Sequence, residues 1–183
     1  MAAPRLALPH TALLVVDVQE KLLPHIHEHK ALVDQIVRLM DGAKALEVPV
    51  VATEQYREGL GATVAPVVER LAVDYAPPEK LKFSACIQPV RGQLERDGAR
   101  AVLVCGIEAH VCVLQTCLDL LEAGFLPFLV IDAVGSRRPA DKESAVRRMV
   151  QAGVVPTTVE SALLELVHEA GTSRFKAILP LIK

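Results

Sequence analysis

Apolar residues in this chain fall into short unbroken runs, separated by stretches in which they recur at helical spacing. The first run is Thr11–Val18, TALLVVDV. It reads as a strand buried on both faces, because no polar residue alternates through it. After Pro24, Leu32, Ile36, Leu39, Ala43 and Leu46 mark one face of a long helix. Val48–Thr53 is the next strand, Glu54–Ala62 a loop holding Gly59 and Gly61, and Ala65–Leu71 a helix. Ala72–Tyr75 reads as a short third strand before Pro77 and Pro78. A helix from Pro89 to Arg96 is stopped by Gly98, and Ala101–Cys105 is a fourth buried strand. Gly106 ends that run, and Val111, Leu114, Leu118 and Leu121 return to helical spacing. Phe125–Asp132 is a fifth strand, closed by its aspartate. Pro139–Ala152 is a helix capped by Gly153, Val154–Thr157 a last strand and Glu160–His168 a last helix.

Strands that alternate with helices build a parallel sheet covered on both faces. In such sheets ligands bind outside the carboxyl ends of the strands. Asp17, Glu54, Lys80 or Lys82, and Cys112 all fall at or just after predicted strand ends. Asp17 by itself reads equally well as a helix cap. A cysteine near an apolar run is commonly a small buried hydrophobe. Cys112, however, is predicted near a helix start, where unpaired N–H groups and the helix dipole lower a thiol pKa and can hold an oxyanion.

Composition narrows the classes. The chain has 183 residues, the span of one domain (1–183) with a full core. Its hydrophobic fraction is 51% and its mean hydropathy +0.33, which points to a fully buried sheet or to subunit surfaces covered on assembly. No apolar run reaches the roughly 20 residues of a membrane helix, so no membrane partner is expected. A net charge of −2, and aromatics at only 3%, speak against a nucleic-acid partner. The opening MAAPRLALPH lacks the apolar core of a secretory signal. Four cysteines, at 86, 105, 112 and 117, form no paired framework, so a reduced cytoplasmic protein is expected.

The ordered set LLVVDVQ, TEQYREGLG, KLKFSAC and CGIEAHVCVLQTCLDLLEAG resembles the isochorismatase-like cysteine hydrolases. It is most similar to the branch of isochorismatase domain-containing proteins, and the resemblance runs from about Leu13 to the C-terminus. It implies a three-layer α/β/α fold with a parallel six-stranded sheet. It also implies an Asp–Lys–Cys triad, here Asp17, Lys80 and Cys112, with Lys80 preferred to Lys82 by its interval to Phe83–Ser84. A cis peptide is implied at Ile107–Glu108. Cys112 would attack a carbonyl or C–N carbon, with Asp17 carrying the proton and Lys80 balancing charge. Backbone N–H groups of Glu108 and Cys112 would form the oxyanion hole. Gln19, Glu54, Tyr56 and His110 are the candidate substrate-lining residues. No cofactor is implied.

Departures from neighbouring families matter as much. Isochorismatases that cleave a vinyl ether carry glycine where this chain has Cys112. Metal-dependent nicotinamidases place histidines where this chain has TEQYREGLG, so no metal is expected. HIHEH, His25–His29, reads as a solvated loop and helix start. Gln115 and Thr116 read as helix neighbours of the site without a direct role. Arg137 and Arg138 either meet an anionic substrate or lie at a subunit contact. The C-terminal Ile178–Ile182, ILPLI, either joins an oligomer interface or folds back on its own chain. Two functions remain open on the sequence: a hydrolase of a small amide, carbamoyl or related C–N substrate, or an idle binding and assembly protein on the same scaffold. A homo-oligomer, dimer or larger, is expected in either case.

Overall fold

Thr11–Val16 forms β1, and all six of its residues are buried, as an unbroken apolar run requires. The computed structural model describes residues 3–183. The chain continues through α1 (His29–Ala45), β2 (Val50–Gln55), the short helices α2 (Arg57–Leu60) and α3 (Ala65–Val68), and β3 (Glu79–Lys80). It then forms α4 (Gln88–Arg96), β4 (Ala101–Ile107), a π-helical turn (Ala109–Val113) and α5 (Leu114–Glu122). β5 (Leu126–Gly135), α6 (Pro139–Gln151), β6 (Val155–Thr157), α7 (Val159–Val167) and α8 (Ser173–Ile178) complete it. The six strands make one sheet in the order β3-β2-β1-β4-β5-β6, and every pairing is parallel.

The predicted three-layer α/β/α arrangement is therefore present. Side chains alternate along each strand, so one strand feeds two cores. Leu13 and Val15 of β1 pack with Leu32, Ile36, Leu39 and Ala43 of α1, on one face. Leu14 and Val16 pack on the other with Leu94, Cys117, Leu120 and Met149 of α4, α5 and α6. The helical stripe predicted for α1 is buried as expected.

Sheet order sets where a site can form. β1 leads to β2 and β3 on one side, and the chain then crosses back to lay β4 against β1's other edge. The strand order reverses between β1 and β4, which opens a crevice at their carboxyl ends. Asp17 follows β1 directly, Lys80 ends β3, and Cys112 lies in the turn after β4.

Several expectations are corrected. Ala72–Tyr75 is not a strand; the third strand is Glu79–Lys80, two residues long and too short to show a period. Tyr75 instead reaches β2, its hydroxyl accepting from Ala52 N at 2.9 Å and donating to Ala52 O at 3.0 Å. The helix at Ala65 ends at Val68 rather than Leu71. β5 runs past Asp132 to Gly135, and Asp132 accepts from the Val159 amide at 2.9 Å, at the start of α7. β4 continues through Gly106 to Ile107 before the chain turns. The C-terminal segment folds back on its own chain: Ile178 is fully buried in the core that α1 covers, and Ile182 packs against it.

Gly106 is the tightest point of the scaffold. Its φ is +114°, and a Cβ there would collide with the carbonyl oxygen and amide of Val16 in β1. Gly98 also has positive φ, +66°, but faces open space. Gly106→Ala should cost about 3 kcal/mol or more, because neighbouring backbone cannot yield. Gly98→Ala should cost only the left-handed strain of about 1–2 kcal/mol. Urea denaturation of the two variants checks this, and equal losses would contradict the close packing of β1 on β4.

Candidate active site

Asp17 terminates the apolar run of β1 in the left-handed region, φ 52°, and is fully buried. Its backbone amide donates to Thr53 O at 3.2 Å, and Thr53 Oγ1 donates to Asp17 Oδ1 at 2.8 Å. Lys80 Nζ donates to Asp17 Oδ2 at 2.6 Å, with its side chain only 1% exposed. The same ammonium donates to Gln55 Oε1 at 2.8 Å, Phe83 O at 2.8 Å and Lys82 O at 3.3 Å. Lys82 itself is exposed, so it is Lys80 that the structure brings to the aspartate. Burial raises the Asp17 pKa above its ordinary value, and Lys80 and Thr53 oppose that without cancelling it.

Cys112 is 5% exposed and sits against this pair, from the π turn. Its thiol is not activated at rest, contrary to the expectation of a lowered pKa. Burial first, then the Asp17 charge, push it up to about 12, while Lys80 and the Glu108 backbone pull the other way. Two physical reasons account for the difference. The thiol is buried, and the carboxylate charge beside it is offset only in part by Lys80. The nearness of thiol and carboxylate acts in opposite senses on the two groups, raising the Cys112 pKa and lowering that of Asp17 against the stronger effect of burial. The arrangement is a protonated thiol facing a carboxylate whose basicity is raised, which suits proton transfer at the moment of attack.

The turn that carries Cys112 begins at a cis peptide, Ile107–Glu108. Glu108 is buried, its carbonyl accepts from the Val111 and Val113 amides at 3.1 Å each, and its carboxylate accepts from Arg137 Nε at 3.0 Å. His110 is half-buried, its Nδ1 lying 3.0 Å from Ser136 Oγ.

The other predicted residues divide. Gln19 is fully buried, its amide nitrogen donating to Gln55 O at 3.0 Å and Gly61 O at 2.7 Å, and its oxygen accepting from Gln55 N at 2.7 Å. It braces the end of β2 rather than facing a free space. Glu54 is equally buried; Oε1 accepts from Thr63 N and Oγ1 at 2.7 and 2.8 Å, and Oε2 lies 3.2 Å from Arg57 Nη1. Tyr56 is 46% exposed and borders, with Glu58, Glu79, Lys80 and Leu81, a cleft of about 430 Å³ at the mouth beside Lys80. A larger groove of about 760 Å³ runs along the edge of β5 that β6 leaves uncovered, between α1 and α6, and contains none of Asp17, Lys80 and Cys112.

Sequence reasoning missed two contributors. Thr53 and Gln55 bind the aspartate and the lysine from β2, and only the sheet register, which pairs Gln55 with Lys80, reveals it. Among the described residues no group of three or more His, Cys, Asp or Glu is arranged to hold a metal ion. His25–His29 span a short turn and the start of α1, with His25 and His27 exposed.

Comparison with known proteins finds relatives that match over nearly the whole chain. The isochorismatase domain model matches residues 11–161. Isochorismatase domain-containing protein 2 of Danio rerio is 38% identical over 179 residues, covering 97% of this chain and 89% of that protein. The structure of MAR1 ribonuclease from Caenorhabditis elegans superposes with a TM-score of 0.93 at 41% identity, covering 98% of this chain and 92% of that one. The YcaC gene product of Escherichia coli, an octameric hydrolase of unknown specificity, superposes with a TM-score of 0.90 at 25% identity over 99% of this chain and 90% of its own. With its six-stranded parallel sheet and the extent of these matches, the chain belongs to the isochorismatase-like hydrolase family.

Proposed function

We propose that this protein hydrolyses a small amide, carbamoyl or related C–N substrate through Cys112, with Asp17 and Lys80 completing a triad. The observation that carries the reading is the buried Asp17–Lys80 pair, 2.6 Å apart, against which the Cys112 thiol is set. Such a pair is costly to bury and has no structural need of a thiol beside it. As Cys112 Sγ attacks the carbonyl carbon, its proton passes to Asp17 and the C=O π pair moves onto oxygen. The Glu108 and Cys112 amides are the donors for that oxyanion, each worth about 3–4 kcal/mol. When the tetrahedral centre collapses, the C–N bond breaks and the amine leaves with the proton held by Asp17. Water, deprotonated by Asp17, then cleaves the thioester and restores the thiol. Lys80 keeps the aspartate anionic in the resting site and offsets charge as the thiolate forms.

Small-molecule chemistry fits the remaining features. A cleft of about 430 Å³ bordered by Tyr56 and Leu81 opens beside Lys80, and a net charge of −2 does not favour a polyanion. The worm relative is named a ribonuclease, so an RNA-cleavage assay run beside the amide screen separates the two substrate classes. Four unpaired cysteines support a reducing, cytoplasmic setting. Among the described residues no helix is long and apolar enough to cross a membrane.

Cys112→Ala should lower turnover in an ammonia-release screen by on the order of 10⁴-fold. Wild-type activity should fall on acidification, because protonated Asp17 can take no proton from the thiol. The midpoint should lie above the ordinary aspartate value of 3.8, since burial raises this group. A midpoint at or below 3.8 would remove Asp17 as the base.

Lys80→Ala should cost about a hundredfold or more in kcat/KM, and Lys82→Ala little. The Lys80 variant should also lose about 3–5 kcal/mol of stability near neutral pH, because it leaves a buried carboxylate unpaired. The sign follows from linkage: without the ammonium the folded state holds the Asp17 proton more tightly than the unfolded chain. That stability loss should therefore shrink as pH falls through the raised Asp17 value and grow as pH rises. Denaturation curves at several pH values measure it, and a pH-independent loss would contradict the pairing.

Tyr56, Leu81 and Phe83, at 46%, 74% and 52% exposure, put apolar surface around the lysine segment. With an octameric neighbour in the family, this supports a homo-oligomer. Light scattering at micromolar concentration should give at least twice the 19.8 kDa chain mass, and a monomer would refute assembly.

A further inference from the structure

One buried hydroxyl joins the two halves of the site. Thr116 is fully buried on the first turn of α5. Its Oγ1 donates to the carbonyl oxygen of Cys112 at 2.6 Å and accepts from the Ala85 amide at 2.7 Å. A hydroxyl carries one donor and can accept as well, so both bonds are satisfied at once. Ala85 belongs to the segment that leaves β3, and that segment is already fixed to the triad lysine: Lys80 Nζ donates to the carbonyls of Lys82 and Phe83. Next to Ala85, the Cys86 amide donates to Ser84 Oγ at 3.1 Å.

From these contacts we infer that Thr116 is the positioning residue of this site, holding the nucleophile's π turn in register with the lysine segment. The inference rests on the reading of Cys112 as nucleophile and goes beyond it. Threonine in a helix commonly bonds the carbonyl of the residue four before it, which by itself has no catalytic meaning. Here that carbonyl belongs to Cys112, and the threonine Oγ1 that donates to it accepts in turn from the Ala85 amide of the loop after β3. π turns recur where a helix is locally adjusted at a functional site. This one would present Cys112 to Asp17 only as accurately as its carbonyl is held, and no other residue bonds both the nucleophile's backbone and the lysine segment among the side-chain hydrogen bonds of the described residues. Misplacement of a reacting group by about 1 Å can cost on the order of a hundredfold in rate. Thr116 therefore acts through Cys112, without touching substrate.

The test compares Thr116→Ser, which keeps the hydroxyl, with Thr116→Val, which keeps the shape and loses it. Two quantities are read: turnover, and the rate at which iodoacetamide modifies Cys112, followed by peptide mass mapping across pH. For Thr116→Val we expect about a ten- to hundredfold fall in kcat and in Cys112 alkylation. KM should stay within about twofold, and the pH dependence of alkylation should be displaced because the thiol–Asp17 contact is altered. For Thr116→Ser we expect both rates within about threefold of wild type. A valine variant that loses thermal stability but keeps the wild-type alkylation rate and pH profile would overturn the inference. If the valine variant does not fold, the serine variant decides: wild-type rates support the hydroxyl's role, and a loss of tenfold or more overturns it. Full turnover in Cys112→Ala would defeat the nucleophile reading separately, while the alkylation arm still decides Thr116.

Discussion

The buried ion pair between Asp17 and Lys80 is the constraint on which the rest of this structure depends. Both side chains are essentially removed from water, and each charge would be costly to bury alone. The fold meets that cost with directed partners: Thr53 on one carboxylate oxygen, and Gln55 with the Lys82 and Phe83 carbonyls on the ammonium. Those partners come from β2 and from the loop after β3. The pair consequently requires three adjacent strands to end at one level, and Gln19 and Glu54 are braces that keep the β2 end there.

The same pair determines how the thiol behaves. An ammonium free to face Cys112 would stabilise a thiolate; one already bound to a carboxylate does so weakly, and the carboxylate opposes it. The resting site is thus neutral at sulfur and basic at Asp17. A protonated thiol and a carboxylate of raised basicity are thereby set side by side, in a contact that the surrounding fold maintains. The close approach of Gly106 to Val16, the Glu108–Arg137 bond and the Thr116 hydroxyl all lie on the β4 side of that contact.

The strands and their buried faces were legible in the sequence because the parallel sheet leaves uniform apolar runs, and because α1 carries its stripe at helical spacing. β3 was not legible. Two residues, one of them the lysine itself, cannot show a period, and the neighbouring apolar Ala72–Tyr75 drew the assignment instead. β5 reads as ending at Asp132 since a polar residue looks like a boundary, whereas its side chain is used to hold the start of α7.

For the site, motif order on the sequence picked out Asp17, Lys80 and Cys112, and the fold brings Asp17 and Lys80 into direct contact with Cys112 beside them. Residue type and order along the chain were enough to nominate them. What the chain order could not show is which groups share protons and charge, since that depends on distances across strands far apart in sequence. Thr53 and Gln55 became partners of the pair only through the register of β2 with its neighbours. The thiol's raised pKa followed from burial and from the carboxylate charge beside it, neither of which is a property of the local sequence. Sequence by itself determined the layers and the family and nominated the strand-end residues; the tertiary structure decided which of those residues lie against one another, because burial and distance set the strength of every charge interaction among them.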